Sequence, residues 1–303
     1  MKALITGAGG FVGGYLADEL ICSGYEVIKT DIKGEVRAAD LLNFDAVKKL
    51  IDDVRPDVVF HLAGQASVKL SWSNPQLTFR LNVEGTANLL DAVRAANCKA
   101  KILLIGSGDE YGKVEEQDCP IKETQPLKPQ TPYAISKQAQ EEFALLYARS
   151  YDMDIVMTRS FNHTGPGQQK GFVVPDFASR IAEIEKGAEP VIKVGNLKAR
   201  RDFSDVRDIV RGYRLLAEMG KSGEIYNIGS GTAYAVKELL DHLIEISNKK
   251  IEVVEDPEKM RPVDTPLVVG DIRKIQEQTG YERHYSIEKT LEDTLDYWRK
   301  TVE

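Results

Sequence analysis

In the stretch TPYAISK (131–137) a tyrosine, Tyr133, stands four residues before a lysine, Lys137, just behind a proline. Thr131 can cap a helix and Pro132 fits its first turn, so Tyr133 and Lys137 fall one turn apart on one face. A phenol with a pKa of about 10 is a poor acid or base at neutral pH, but an ammonium held close favours the phenolate, each tenfold change in that balance being worth about 1.4 kcal/mol. On this reading Lys137 activates Tyr133 and also anchors a ribose. The same pair occurs on ordinary solvated helices, so the spacing needs support from elsewhere. IGSGDEYG (105–112) supplies it. Ser107 falls where a strand should end, placed to hydrogen-bond a substrate oxygen and polarise a carbonyl. Serine, tyrosine and lysine beside a nicotinamide would move a hydride at a carbonyl or alcohol, with Tyr133 giving or taking the proton.

A nicotinamide requires a dinucleotide site, and TGAGGFVG (6–13) offers one. Gly7, Gly10 and Gly13 are spaced for the tight turn, the close approach to a pyrophosphate and the close packing of helix on strand. Phe11 and Val12 open the helix whose N-terminus faces that pyrophosphate. Asp31, in KTDIKG, lies about twenty residues further on, where a carboxylate accepts from both ribose hydroxyls and repels a 2′-phosphate. That favours NAD over NADP, although Lys33 softens the repulsion and Asp31 could instead be a turn residue before Gly34. Asp40 and Leu41 could meet the adenine. Leu62, Ala63 and Gly64, in HLAGQ, end a strand with small residues beside the cofactor, and His61 reads as a hydrogen-bonded strand residue rather than a catalyst.

These residues need a frame. KALIT, YEVIKT, DVVFHLA, KILLIG and DIVMTRS are short, Val/Ile/Leu-rich and lack period-2 alternation, as buried parallel strands do. Between them lie FVGGYLADELICSG, FDAVKKLIDDVR, NVEGTANLLDAVRAAN and AISKQAQEEFALLYARSY, with apolar residues recurring at helical spacing. The expectation is a doubly wound parallel α/β sheet (Rossmann) over residues 1–160, with further elements from about 205–229, and a smaller mixed α/β substrate domain over 161–303. FNHTGPGQQKGF (161–172) reads as irregular, and KARRDF (198–203) as a loop. Beyond them come helices near 175–187, after Asp205 and from about Tyr234, a strand EIYNIG, and two terminal helical stretches.

The 303 residues carry 47 acidic and 40 basic side chains, a net charge of −7, and 42% are hydrophobic. Nothing in that balance draws the chain to nucleic acid or an anionic membrane, no apolar run would span a bilayer, and the start lacks an export signal. Three scattered cysteines, Cys22, Cys98 and Cys119, suit a reducing cytoplasm. His163 has no second histidine or cysteine at metal-ligand spacing, so no metal is expected.

Through the glycine motif, HLAGQ, SGDEYG, TPYAISK, FNHTGPGQ, VGNLKARRDFSDVRDI, YNIGSG and DPEKMRP, the chain resembles, nearly end to end, the extended short-chain dehydrogenases/reductases that act on nucleotide sugars. FNHTGPGQ with RRDFSDVRDI is most similar to the GDP-mannose branch. That resemblance implies NAD(H) or NADP(H), a GDP-sugar substrate and a homodimer paired through the helices at 82–97 and 133–150. It implies catalytic residues Ser107, Asp109, Tyr133 and Lys137, with Asn162, Phe172, Val173, Val194, Asn196, Arg201, Arg261 and Asp264 around the GDP-sugar. Arg201 and Arg261 could fork onto a diphosphate or pair with Asp202, Glu258 or Asp264; Phe172 and Val173 could instead be core.

Within the branch two activities compete. The 4,6-dehydratases must also work at C5 and C6, and their pattern has a threonine and, two residues on, a glutamate. This chain has Ser107 and Asp109, one methylene shorter, and misplacement by about an ångström can cost on the order of a hundredfold. It also lacks the arginines that usually follow strand two in dehydratases. The resemblance therefore implies reduction of the C4 ketone of GDP-4-dehydro-6-deoxy-D-mannose to GDP-D-rhamnose, with 4,6-dehydration of GDP-mannose as the alternative. A non-catalytic dinucleotide sensor would not need an acid at the nicotinamide end.

Overall fold

The computed structural model describes residues 1–32, 37–259 and 265–302. Along the chain run strands β1 (Lys2–Thr6), β2 (Glu26–Asp31), β3 (Arg37–Ala38), β4 (Val58–His61), β5 (Lys101–Ser107) and β6 (Ile155–Ser160). After them come β7 (Asn162–Thr164), β8 (Val191–Val194), β9 (Arg200–Asp205), β10 (Ile225–Ile228), β11 (Ala233–Ala235), β12 (Glu252–Glu255) and β13 (Leu267–Val268). Seven of these form one sheet in the order β10-β6-β5-β4-β1-β2-β3, every pair parallel. The doubly wound parallel sheet expected from the sequence is what the chain builds. Strand order reverses beside β1, the switch point at which such sheets bind ligands.

Both faces of the sheet are covered, which is why its strands read as unbroken apolar runs. Ala3 and Ile5 face one layer with Leu16, Leu20, Ile209 and Leu216, while Leu4 faces the other with Val47, Leu50, Leu89 and Leu90. The first layer contains helices α1 (Phe11–Cys22) and α8 (Val206–Met219); the second contains α2 (Phe44–Val54), α5 (Gly85–Ala95) and α6 (Pro132–Tyr151). Two short helices, α3 (Val68–Ser73) and α4 (Pro75–Phe79), precede α5. The expected 82–97 helix starts differently: a π turn, Arg80–Glu84, leads into it.

A separate apolar core joins α7 (Val173–Glu185), α9 (Val236–Ser247) and α11 (Ile287–Thr301) to β8 and Phe203, and α10 (Arg273–Thr279) lies before α11. Two expectations are corrected in this half. Asn162–Thr164, inside the stretch read as irregular, pairs with β9, and KARRDF is largely strand, with Arg201 in β9 between β11 and β13. The cause is tertiary. Buried Asp202 accepts from the backbone N–H groups of Ser230 and Gly231 and the Ser230 hydroxyl at 2.7–3.0 Å, holding a polar segment extended.

Candidate active site at the carboxyl edge of the sheet

Because every strand of the large sheet runs the same way, the residues after β1, β2, β4 and β5 share one edge. Gly7 turns there with φ +72°, and a Cβ on it would lie 2.7 Å from the Ala63 nitrogen. A Cβ on Gly13 would lie 2.6 Å from Ala8 Cα, so α1 packs onto the turn only without a side chain. Gly10 is the N-cap of α1, its own side open but for the Gly7 carbonyl, and Phe11 and Val12 follow, partly buried. The turn is therefore a cradle of bare backbone at a helix N-terminus, the form that a pyrophosphate fits. Asp31 ends β2 and accepts from Gly9 N–H at 3.0 Å and Ile32 N–H at 2.7 Å. Asp40, exposed, accepts from Leu42 N–H, while the Leu41 carbonyl is held by Asn88 at 2.8 Å.

From the cradle the contacts lead on to the candidate proton donors. Gly7 abuts Leu62 and Ala63; a Cβ on Gly64 would meet Asn82 Oδ1 at 2.7 Å and Lys137 Nζ at 3.9 Å. Asn82, in the π turn, accepts from Gln65 N–H at 2.7 Å and donates to Ser136 Oγ at 2.8 Å, stitching the end of β4 to α6. Thr131 Oγ1 caps α6 through Ala134 N–H at 3.0 Å, and Tyr133 and Lys137 share its buried face. Lys137 Nζ donates to Ile105 O and Gln140 Oε1, both at 2.8 Å. The Ser107 side chain and Asp109 both lie near enough to the Tyr133 phenol to act on it.

Burial dominates the electrostatics of the pair. Burial raises the Tyr133 phenol above its ordinary value, Asp109 adds to the rise, and the Ser107 contact opposes it. Burial likewise lowers Lys137, to about 8. The ammonium turns to Ile105 and Gln140, and burial leaves Tyr133 a protonated phenol at neutral pH. A phenol in that state is an acid awaiting a basic oxygen.

His61 is a structural residue. Thr86 Oγ1 gives its one proton to the Asn82 carbonyl, so His61 Nε2 must donate to Thr86 at 2.9 Å and Nδ1 accept from Thr6 Oγ1 at 2.7 Å. Burial lowers its pKa to about 3. His163 Nδ1 bonds the Phe161 carbonyl at 3.0 Å. Among the described residues no group of three or more His, Cys, Asp and Glu could hold a metal, and no helix is long and apolar enough to cross a membrane.

Of the second-half candidates, Asn162 stands beside the same edge. Ser160, in register with Ser107, leads directly into Asn162, whose side chain is exposed. The loop after β7 rests on α1, with Tyr15 donating to Pro166 O at 2.8 Å. Phe172, the N-cap of α7, is 42% exposed and so is not core; Val173 packs partly against the second core. Val194 differs: its side chain is inside that core, so only its backbone is left to meet a ligand. Gly195 abuts the Lys259 carbonyl, and Arg200 N–H donates to Pro266 O, which brings Asn196 beside Lys259 and Arg201 beside Val268. Arg261 and Asp264 lie outside the described residues.

Sequence reasoning passed over Asn82, Glu110 and the buried pair Ser160–Tyr213, whose hydroxyls are 2.7 Å apart beside Tyr133. The one legible signal was Asn82, a polar residue at the head of a helix face that is otherwise apolar or small but for Thr86.

Residues 4–294 match the family model described as GDP-mannose 4,6 dehydratase. The chain is 34% identical over 302 residues to the GDP-6-deoxy-D-mannose reductase of Pseudomonas aeruginosa, covering 99% of this chain and 98% of that protein. The solved structure of RMD from Pseudomonas aeruginosa complexed with NADPH superposes with a TM-score of 0.92 at 34% identity, covering 99% of each chain. The UDP-glucose 4-epimerase of Thermus thermophilus, in complex with NAD, gives 0.88 at 30% identity over the full length of both. A glycine cradle, a buried Ser-Tyr-Lys group and a match along nearly the whole chain lead to one conclusion: this protein belongs to the GDP-mannose 4,6 dehydratase family.

Proposed function

We propose that the chain reduces the C4 ketone of GDP-4-dehydro-6-deoxy-D-mannose to GDP-D-rhamnose with NADH or NADPH. The cofactor would lie on Gly7, Gly10, Phe11, Val12 and Gly13, with its adenosine toward Asp31, Asp40 and Leu41 and its nicotinamide end toward Leu62, Ala63, Gly64 and Lys137. Bound there, the reduced nicotinamide supplies the hydride. Ser107 holds the ketone oxygen, Tyr133 Oη gives its proton to that oxygen as the carbon is reduced, and Lys137 anchors the ribose. Asn162, Phe172, Val173, Val194, Asn196, Arg201, Arg261 and Asp264 enclose the GDP-sugar. In this reading residues 1–160, with elements from 205–229, hold the dinucleotide and 161–303 hold the sugar nucleotide.

The observation that carries the reductase reading is the 34% identity to a GDP-6-deoxy-D-mannose reductase along 99% of the chain, against 25–30% to the 4,6-dehydratases, and a Tyr133 that burial keeps protonated suits it. Reduction of a ketone begins with an acid. A 4,6-dehydratase begins by taking the proton of the C4 hydroxyl and needs the phenolate. Asp109 keeps the dehydratase as the second reading, since an acid beside Tyr133 is also where the C5 and C6 chemistry would need one. Asp31, fixed by two backbone N–H groups, favours NAD; NADH and NADPH titrations decide that preference. Exposed Ile135, Phe143 and Leu146 on α6 support a homodimer, and three free cysteines support a cytoplasmic setting.

The test is a pair of incubations. GDP-mannose with NAD or NADP in one and the keto sugar with NADH or NADPH in the other are followed by nicotinamide absorbance and sugar analysis. Net oxidation of nicotinamide in the second alone is the expected result. A keto sugar in the first without net change in nicotinamide would establish the dehydratase instead, and silence in both with cofactor bound would overturn both readings.

A further inference from the structure

Glu110 is a charged residue of the site with no task in the proton transfer above. It sits on the single 3-10 turn Gly108–Tyr111 that follows Ser107 and is fully buried. Its Oε1 accepts the Ser107 backbone N–H at 2.6 Å, while Ser107 Oγ accepts from Asp109 N–H at 3.2 Å. A Cβ on Gly106 would lie 2.7 Å from the same Oε1, so the glycine leaves room for the carboxylate against the strand end. Oε2 is buried with no hydrogen-bond partner among the described residues. One residue before Gly106, the Ile105 carbonyl holds Lys137 Nζ. Carboxylate and ammonium thus flank the same three residues of β5.

The ionisable groups acting on Glu110 are Glu141, Lys137 and Tyr133 from α6 and Arg159 from β6. Glu141 and Arg159 form a buried pair with two bonds at 2.7 and 2.9 Å; of the two, Glu141 acts more strongly on Glu110 and adds to the rise that burial causes. Lys137 donates to two neutral oxygens, and a cation buried against neutral groups alone is costly. Glu110 is the carboxylate that acts on it.

Building on the reductase reading, we propose that Glu110 is a positioning residue: one oxygen fixes the Ser107 backbone, and the negative charge keeps the buried Lys137 an ammonium. Burial pushes the two groups in opposite directions, Glu110 up and Lys137 down to about 8, and each opposes the other's shift. The ammonium exists below the pKa of Lys137, so activity that depends on it is present at lower pH and lost as pH rises through that value. Without the negative charge burial acts alone, and the loss comes at lower pH.

The experiment is the pH profile of kcat/KM for the keto sugar in wild type, Glu110→Gln and Glu110→Asp. Glutamine keeps the acceptor for Ser107 N–H and removes the charge, putting an amide NH2 where Oε2 stood. The alkaline limb of Glu110→Gln should fall by about one to three pH units, and Glu110→Asp should recover part of that shift. Superimposable limbs would overturn the proposal; a wild type that does not reduce the keto sugar would overturn the reductase reading instead. A second measurement needs neither turnover nor a folded Glu110→Gln. In a carbon-13 NMR titration of labelled glutamate carboxyls, linkage requires the Glu110 midpoint to rise in Lys137→Met, as each group's charge supports the other. A midpoint unmoved in Lys137→Met would overturn the proposal whatever the enzyme catalyses.

Discussion

Replacing Tyr133 by phenylalanine removes one oxygen from a buried ring. Tyr133 is 8% exposed and its ring is packed, so the phenylalanine leaves no cavity. The folded protein loses at most one neutral hydrogen bond, about 1 kcal/mol, and no longer buries a hydroxyl, so stability should change little. The reaction loses its general acid, which contributes roughly 10²- to 10⁴-fold, or about 2.7–5.5 kcal/mol of the barrier. The cofactor contacts proposed for the glycine turn, Asp31 and Lys137 are untouched. Tyr133→Phe should therefore bind NADH or NADPH as wild type does, while single-turnover oxidation of the nicotinamide by the keto sugar slows by at least about a hundredfold. A variant that folds, binds cofactor and reduces the sugar within about threefold of wild type would show that Tyr133 is not the acid, since that is under about 0.7 kcal/mol.

Gly7→Ala places a side chain at φ +72° with Cβ 2.7 Å from backbone, costing about 1–2 kcal/mol for conformation and about 1–3 for the clash; thermal melting and cofactor titration should both show the loss. Glu141→Gln strips the partner from Arg159, whose side chain is 5% exposed, and should destabilise by about 3–5 kcal/mol in urea titration. Stability should also fall in acid through His61. Its folded pKa of about 3 lies below the ordinary 6.5, so the unfolded chain binds more protons between those values. Its contribution is complete above about pH 6.5 and drains as pH falls, at roughly 1.4 kcal/mol per unit for this one group. Urea midpoints of wild type and His61→Gln should converge as pH falls from 6.5 towards 3; a constant gap would remove His61 from the acid response.

What could be read from the sequence was what local chemistry determines. The five long strands showed because both of their faces are buried, and the start of α6 showed because Thr131 and Pro132 carry their own capping and φ preferences. The glycines showed because their conformational needs are local. What stayed hidden depends on distant partners. Arg200–Asp205 is strand only because Asp202 is held by residues around 230 and 270, and β7 exists only because β9 lies beside it. Glu110 looks like one more acid in a solvated turn, and nothing in GDEYG indicates that Gly106 opens a space beneath the strand for it. The orientation of Lys137 stayed hidden for a related reason. Spacing on a helix gives proximity, whereas the ammonium's direction is set by Ile105 and Gln140.

The central claim is that a protonated Tyr133 and the Ser107 hydroxyl meet a ketone oxygen over the nicotinamide. A crystal structure of the protein with NADH or NADPH and an unreactive GDP-sugar measures this directly. Tyr133 Oη and Ser107 Oγ should both lie about 2.6–3.2 Å from the sugar's C4 oxygen, on the nicotinamide side of the crevice. A phenol turned to solvent, or separated from that oxygen by more than one bridging water, would contradict it.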